Sequence, residues 1–292
     1  VTRPVIQLHT IQQWFGVDPT VRSVILQNIK IKDRLYRYLM EKNKRANNIT
    51  EAKYVRCSKC AESPHPGYIL LEPRYDGLHP SQLASPCMLK VYKEMVGIDK
   101  QEKVEPRMQL VFDLGHAVHH MFQTYGLNGA WGPVYKPEVT ISGEHQELAE
   151  QLMIEGHADA ENVMVIDDIP NSPYIYEVGL VHEYKTMNSK VFAKLTRPKP
   201  EHKIQAQLYS AALNRPVVVY LYLSKDDSNL ADFPVEFDAD VWNTISNKAS
   251  LIKGYYDRGE EPPGETGFHC QDCGFSYECE AYKAEVLKKR RA

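Results

Sequence analysis

Apolar and polar positions along this 292-residue chain follow two periods, and the change between them divides it. Between residues 20 and 45, Val21, Val24, Ile25, Ile29, Ile31, Leu35 and Leu39 recur with a roughly helical spacing. The stretch 8–46 therefore reads as helix, broken at "GVDP" (16–19) and ended by the turn residues of "ANNIT". Residues 57–80 are rich in Pro, Gly and His and read as loops with one short strand, "GYILLE". Helical patterns return at 79–97, behind a capping Ser81, and at 105–126. The period then shortens to two. "YKPEVTIS" (135–142), "IEGHADAENVMVID" (154–167) and "YIYEVGLVHEYKT" (174–186) alternate as a meander of strands does. "VVVYLYLS" (217–224) is β-branched and aromatic throughout, the mark of a strand buried on both faces, and "FPVEFD" is a short strand. Helices are predicted at 201–214 and at 240–259, the latter closed by Gly259. The pattern predicts an α/β fold with no internal repeat.

Composition adds bounds. Hydrophobic residues at 43% and charged ones at 25% suit a globular chain of one large domain or two modest ones. No apolar run approaches the ~20 residues of a membrane span, and the N-terminus lacks a charged stretch followed by an apolar one. The expectation is an intracellular, cytoplasmic protein with no membrane partner. Net charge is −3, but "KIKDRLYRYLMEKNKR" (30–45) carries seven basic and two acidic side chains. "KVFAKLTRPKPEHK" (190–203) and the terminal "KKRRA" are also basic. Each alone is a solvated face; together they suit a phosphate-contacting surface. Six cysteines, Cys57, Cys60, Cys87, Cys270, Cys273 and Cys279, point to a metal or cluster site more than to disulfides in this setting.

One strand carries chemistry. In "VHEYKT" (181–186), Glu183 and Lys185 stand two positions apart and share a face. An ordinary same-face ion pair explains that, and contributes little. Asp159, in "GHADA", changes the picture. Two carboxylates, with the main-chain carbonyl of Tyr184, can ligate a hard cation such as Mg²⁺ or Mn²⁺. Lys185 can orient an attacking water or stabilise a phosphorane. His119, in "GHAVHH", can serve as a further metal ligand. In "HKIQAQLY", His202, Gln205 and Tyr209 fall on one helical stripe, able to face a nucleic-acid strand. Taken singly, a packed His119, a surface Gln205 and a core Tyr209 are the commoner explanations.

The ordered set "GHAVH", "GHADA", "EYK" and "QAQLY" resembles the RecB-type nuclease domain of the PD-(D/E)xK superfamily. Its helix G-x-x-x-H, strand G-x-x-D, strand (E/D)-x-K and helix Q-x-x-x-Y fall here on Gly115 and His119, Gly156 and Asp159, Glu183 and Lys185, and Gln205 and Tyr209. "HPSQLASPCMLKVYKEM" and the C-terminal "CQDCGFSYEC" are similar to segments of the iron–sulfur branch, which includes CRISPR-associated and AddB-like exonucleases. The resemblance covers roughly residues 79–282. It implies a restriction-endonuclease-like mixed sheet flanked by helices, and a [4Fe–4S] clasp on Cys87, Cys270, Cys273 and Cys279. Four thiolates suit zinc equally well. It also implies an exonuclease acting on single-stranded DNA or duplex ends in recombination or repair, beside a partner protein or as a homo-oligomer. A structure- or site-specific endonuclease and a DNA-binding subunit with a vestigial site are the alternatives.

Residues 1–78 are then expected to be a helical extension with a Cys-rich loop, and 79–292 the nuclease domain. "CSKC" (57–60) supplies half of a second zinc site, to which His65 or His79 could add; loop thiols or a second-choice cluster ligand are the alternatives. Asp159 and Glu183 are farther apart than adjacent strands usually place such acids, which predicts an insertion in the "DDIPNSP" turn.

Overall fold

A computed structural model describes residues 3–45, 77–98, 106–141, 151–169, 171–271 and 273–291. The expected strand in "GYILLE", and Cys57, Cys60 and His65, lie outside the described residues. Strands β1 (Val5–Leu8), β2 (Tyr135–Thr140), β3 (His157–Ile166), β4 (Ile175–Met187), β5 (Val217–Ser224) and β6 (Leu230–Glu236) form one mixed sheet in which β2-β3-β4-β5-β6 are successive neighbours. Helices α1 (Ile11–Phe15), α2 (Pro19–Asn28), α3 (Ile31–Arg45) and α5 (Pro106–Leu127) contribute to the core on one face. The other face is covered by α4 (Met88–Met95), α7 (Pro200–Ala212) and α8 (Ala239–Asp257). Helix α6 (Ser189–Phe192) follows β4, and α9 (Glu280–Arg291) ends the described chain. No helix among the described residues is long and apolar enough to cross a membrane.

The segment expected as a helical extension opens with a strand. β1 pairs in parallel with the first half of β4, from Val5↔Ile175 to Leu8↔Val178. β5 pairs in parallel with the second half, from Leu180↔Val217 to Met187↔Ser224. Two strands thus share one edge of β4, end to end. Gly179 sits at the junction, where a Cβ would come within 2.6 Å of the His9 carbonyl oxygen, so this strand position has no room for a side chain. Trp14, Ile25, Ile31 and Leu35 are fully or almost fully buried in the same core as Val178, Leu180 and Tyr184. The reason is patterning: the apolar stripe that predicts α2 and α3 needs an apolar surface, and this face of the sheet is the one it meets.

The two strands pair antiparallel from Ala160↔His182 to Ile166↔Tyr176. The connection between them spans residues 167–174, longer than the roughly two to five residues of a common hairpin loop. Strand length adds to the separation of Asp159 from Glu183: β3 has 10 residues and β4 has 13. Strands of that length exceed the usual five or six residues, and β4 runs buried for most of it. Ser81 also differs from expectation, since it precedes a short 3₁₀ turn without capping it, and α4 begins after Cys87.

Beneath one end of the sheet runs a buried polar chain. Trp131 Nε1 donates to the Ile31 carbonyl (3.3 Å), and Asn162 Nδ2 donates to the Trp131 carbonyl (3.0 Å). His182 Nε2 lies 2.8 Å from Asn162 Oδ1. Because the Asn162 amide donates elsewhere, its oxygen accepts, and His182 is the donor. The chain ties the start of α3 to the centre of β4. Rings of Phe122, Trp131, Tyr135, His182 and Tyr184 pack around it. Helix α5 crosses this cluster closely, and a Cβ at Gly126 would meet the Tyr135 ring at 2.4 Å.

Burial holds His182 neutral and lowers its pKa to about 3. The unfolded chain takes up that proton near pH 6.5 and the folded chain does not until about pH 3, so folding stability falls as pH drops through this window. The full loss is on the order of 5 kcal/mol. Urea midpoints measured between pH 7 and pH 4 should fall more steeply for the native chain than for His182→Gln. Parallel slopes would show that His182 does not set the acid limb.

Candidate active site

β3 and β4 part company at one end, and the polar residues collect there. Register pairs Ala160 with His182, so one step further Asp159 stands opposite Glu183. Asp159 is held from two directions. His119 on α5 places Nδ1 2.9 Å from Asp159 Oδ1, and the Tyr184 main-chain N–H donates to Oδ2 at 2.5 Å. Burial opposes ionisation of Asp159, but the hydrogen bond and charge of His119, helped by Lys185 and the Tyr184 N–H, hold its pKa below the ordinary carboxylate value. Burial likewise disfavours a charged His119, and Asp159 outweighs it and raises its pKa.

Glu183 has no solvent exposure. Lys185, next along the same face of β4, forms an ion pair with its Oε1. Beyond this ion pair, neither buried carboxylate oxygen has a hydrogen-bond partner among the described residues. Burial pushes the Glu183 carboxyl up to about 7, Lys185 pulls it down, and Asp159 adds to the rise. Burial disfavours the charge on Lys185, while Glu183 and Asp159 raise its pKa.

The remaining predicted residues arrive from the other face of the sheet. Tyr209 on α7 is buried and feels the charges of Glu183 and Asp159. Gln205 Nε2 lies 3.4 Å from its hydroxyl. Gly156 admits this approach: a Cβ there would be 3.5 Å from the Tyr209 hydroxyl and 2.8 Å from the Pro80 ring. His202 stacks on Tyr222 with ring centroids 5.6 Å apart, and its Nδ1 is 2.9 Å from the Tyr222 hydroxyl. Burial, with Lys185 and Lys199 nearby, lowers its pKa to about 3. Gly115 lies across from the end of β4, where a Cβ would be 4.0 Å from Thr186 Oγ1. His79 is engaged locally with Ser81. All four motifs thus meet at one place, approached by α5 from one side and α7 from the other.

Sequence reasoning passed over Tyr135, Gln123 and Glu138. The Tyr135 hydroxyl lies 2.8 Å from that of Tyr184, beneath Asp159. Gln123, one turn after His119, donates through Nε2 to the Asp159 carbonyl (3.2 Å) and to Glu138 Oε1. The i,i+4 spacing from His119 is the signal that was available for Gln123.

The cysteines also converge. Cys87, just before α4, and Cys270, Cys273 and Cys279 line a single small cavity with Leu89, Glu265 and Phe275. All four are free thiols. Lys93 on α4 ion-pairs with Glu261 and Glu278, fastening the C-terminal segment beside it. Among the described residues no group of three or more His, Cys, Asp or Glu side chains is placed so that it could hold a metal ion, at the cysteines or at the acids. At the acids, His119 and the Tyr184 N–H each contact one Asp159 oxygen, and Lys185 lies against Glu183.

No protein-family model matches the chain, and no curated protein matches it. Among solved structures, the crystal structure of SSO0001 is similar at 17% identity and a TM-score of 0.41, over 88% of this chain and 98% of that one. The alkaline exonuclease LHK-Exo from Laribacter hongkongensis is similar at 15% identity and a TM-score of 0.35, over 64% of this chain and 90% of that one. LHK-Exo in complex with dAMP gives 14% and 0.35.

A buried ion pair costs desolvation that its own attraction does not always return. Replacing both partners by apolar groups, as Glu183→Leu with Lys185→Met, should leave the metal-free protein as stable as before or roughly 1–4 kcal/mol more stable. Chemical denaturation checks this. A double variant clearly less stable than the native chain would show that the pair serves the fold.

Proposed function

We propose that this chain is a metal-dependent DNA nuclease that hydrolyses phosphodiester bonds from DNA ends. The observation that carries the proposal is the meeting of Asp159, Glu183, Lys185, His119 and Tyr209 at the parted ends of β3 and β4. The residues fit a divalent cation. Glu183 is a buried carboxylate whose oxygens no hydrogen bond satisfies, Asp159 stands across from it, and His119 is at hand. Oxygen donors with one imidazole suit Mg²⁺ or Mn²⁺. Asp159 and Glu183, with the Tyr184 carbonyl and His119, would hold the ion. A cation bound there would lower the pKa of water and neutralise charge on the phosphate.

The chain's own residues would do the rest. The Lys185 ammonium would orient the attacking water and face the charge that develops on phosphorus. Gln205 and Tyr209, with His202 beside them, position the DNA strand. Asp159 keeps its negative charge through its contacts with His119 and the Tyr184 N–H, and so can serve as a ligand at neutral pH. Attack from ends rather than at a read sequence is favoured because α1, α2 and α3 spend their apolar faces on the core. The acid, acid and lysine set is complete, which argues against a vestigial site. Recombination and repair are the processes such an activity serves, and an oligomer encircling DNA would make it processive.

The four thiols are proposed to hold a [4Fe–4S] cluster as a structural clasp, with zinc as the alternative metal. Their shared cavity supports this.

End-labelled single- and double-stranded DNA, digested in Mg²⁺, in Mn²⁺ and in EDTA, tests the reaction. Glu183→Ala and Lys185→Ala should each lower the rate at least a hundredfold, the scale seen when one electrostatic contributor is removed, while DNA binding persists. Robust hydrolysis after exhaustive chelation, or a Lys185→Ala protein that cleaves normally, would end this reading. For the clasp, protein purified without oxygen should be brown and carry iron near the stoichiometry of the cluster. Cys87→Ser should bleach it and Cys57→Ser should not. Colourless protein with stoichiometric zinc would replace the cluster by a zinc clasp, and bleaching by Cys57→Ser alone would remove Cys87 from the ligand set.

A further inference from the structure

Asp159 needs a second fixture. At its position β3 has passed its last pair with β4, so the β3–β4 ladder does not hold its main chain. On the other side, β2 pairs Pro137 with Ala160 and Val139 with Ala158. Glu138 stands between them, opposite Asp159, and its backbone is left-handed there, with φ +50°. That conformation is uncommon for a residue with a β-carbon and costs roughly 1–2 kcal/mol. Glycine would adopt it without strain. A glutamate held in it is held by something, and its side chain meets one clear partner, the Gln123 amide.

We propose that Gln123 and Glu138 are a positioning pair that fixes the main chain of Asp159 for metal binding. The proposal rests on the nuclease reading above and extends it to two residues outside the motifs. Gln123 is buried, at 7% exposure. Its single nitrogen donates both to Glu138 and to the Asp159 carbonyl. Four residues earlier on the same helix, His119 grips the Asp159 carboxylate. Helix α5 therefore holds Asp159 at both ends, side chain through His119 and main chain through Gln123. Glu138 aims the Gln123 amide. With Glu138 gone, the amide is free to turn away, and the Asp159 carbonyl loses its donor while the carboxylate keeps His119 and the Tyr184 N–H. Groups that orient a ligand in this way typically change metal affinity by about 10–100-fold.

The test compares Glu138→Gly, Glu138→Gln, Gln123→Met and the exchange of Gln123→Glu with Glu138→Gln. Each is measured by urea unfolding, by Mn²⁺ affinity from the electron paramagnetic resonance of the free ion, and by cleavage. Glu138→Gly relieves backbone strain, so it should unfold at an equal or higher urea concentration while binding Mn²⁺ at least tenfold more weakly. Gln123→Met should weaken Mn²⁺ binding similarly. Glu138→Gln keeps an acceptor for Gln123 and should stay near the native values. The exchange rebuilds a hydrogen bond between the two positions in the reverse sense and leaves the Asp159 carbonyl without its donor. Stability should return and Mn²⁺ affinity should not. Native Mn²⁺ affinity in both Glu138→Gly and Gln123→Met, or its full recovery in the exchange, would overturn the proposal. Native protein that binds Mn²⁺ without cleaving DNA would end the nuclease reading and leave the pair to be judged on Mn²⁺ affinity. Native protein that binds no Mn²⁺ would overturn both.

Discussion

A carboxylate with no access to water, Glu183, imposes its requirements on everything near it. An ion at that depth is unfavourable unless an opposite charge or a set of donors answers it. The strand carrying it is buried on both faces, so no rotation of the side chain brings it to solvent. The surroundings therefore supply an ammonium two residues on, and a second acid across the fork whose own charge is secured by an imidazole and a main-chain N–H. The aromatic and polar cluster under Tyr184 keeps the backbone between these groups from shifting. Such an arrangement is poor as a stabilising device, and that cost is what supports the proposed metal site.

Much of this was legible in the sequence because charged residues inside apolar strands stand out. Glu183 and Lys185 interrupt a largely hydrophobic run, whereas Asp159 sits among His157, Glu161 and Asn162 and stood out only through its place in the ordered motifs. Helices α5 and α7 were readable from their spacing, as was β5, whose predicted bounds match those observed. Pairing between distant segments was not. Nothing in "VIQL" says that it lies along β4, some 170 residues later in the chain. The wide spacing of Asp159 and Glu183 was legible as a long turn, but not the length of β3 and β4, because strands covered on both faces lose the alternation that marks their ends. Gln123 and Glu138 lack any such contrast: a lone glutamine on a helix and a glutamate on an edge strand look like surface residues. The left-handed backbone at Glu138 was hidden as well, since glycine and asparagine are the residues that announce it.

The two faces of the sheet divide the labour. The α5 face secures Asp159 through His119 and packs the rings of Phe122, Trp131 and Tyr184 behind it. The α7 face offers Gln205, Tyr209 and His202, groups that hydrogen-bond without carrying charge. The acids lie where the two meet. The cysteine cavity sits apart, where the start of α4 meets the segment before α9, and Lys93 draws the same two segments together by charge. A metal there would secure the outer layer and leave the acids untouched.

The shared edge of β4 has a consequence for how the chain assembles. β1 leaves the ribosome early but has no template until β4 is complete, and β5 must then dock end to end with it at Gly179. Contacts of such long sequence separation form slowly, because closing the intervening loop costs entropy before any pairing repays it. In the interval the first half of β4 presents unpaired N–H and C=O groups, an invitation to another chain. A shortened protein begun at residue 79 would carry that open edge permanently, beside a core stripped of Trp14, Ile25 and Ile31. Self-association of such a fragment is the expected cost of treating the first strand as dispensable.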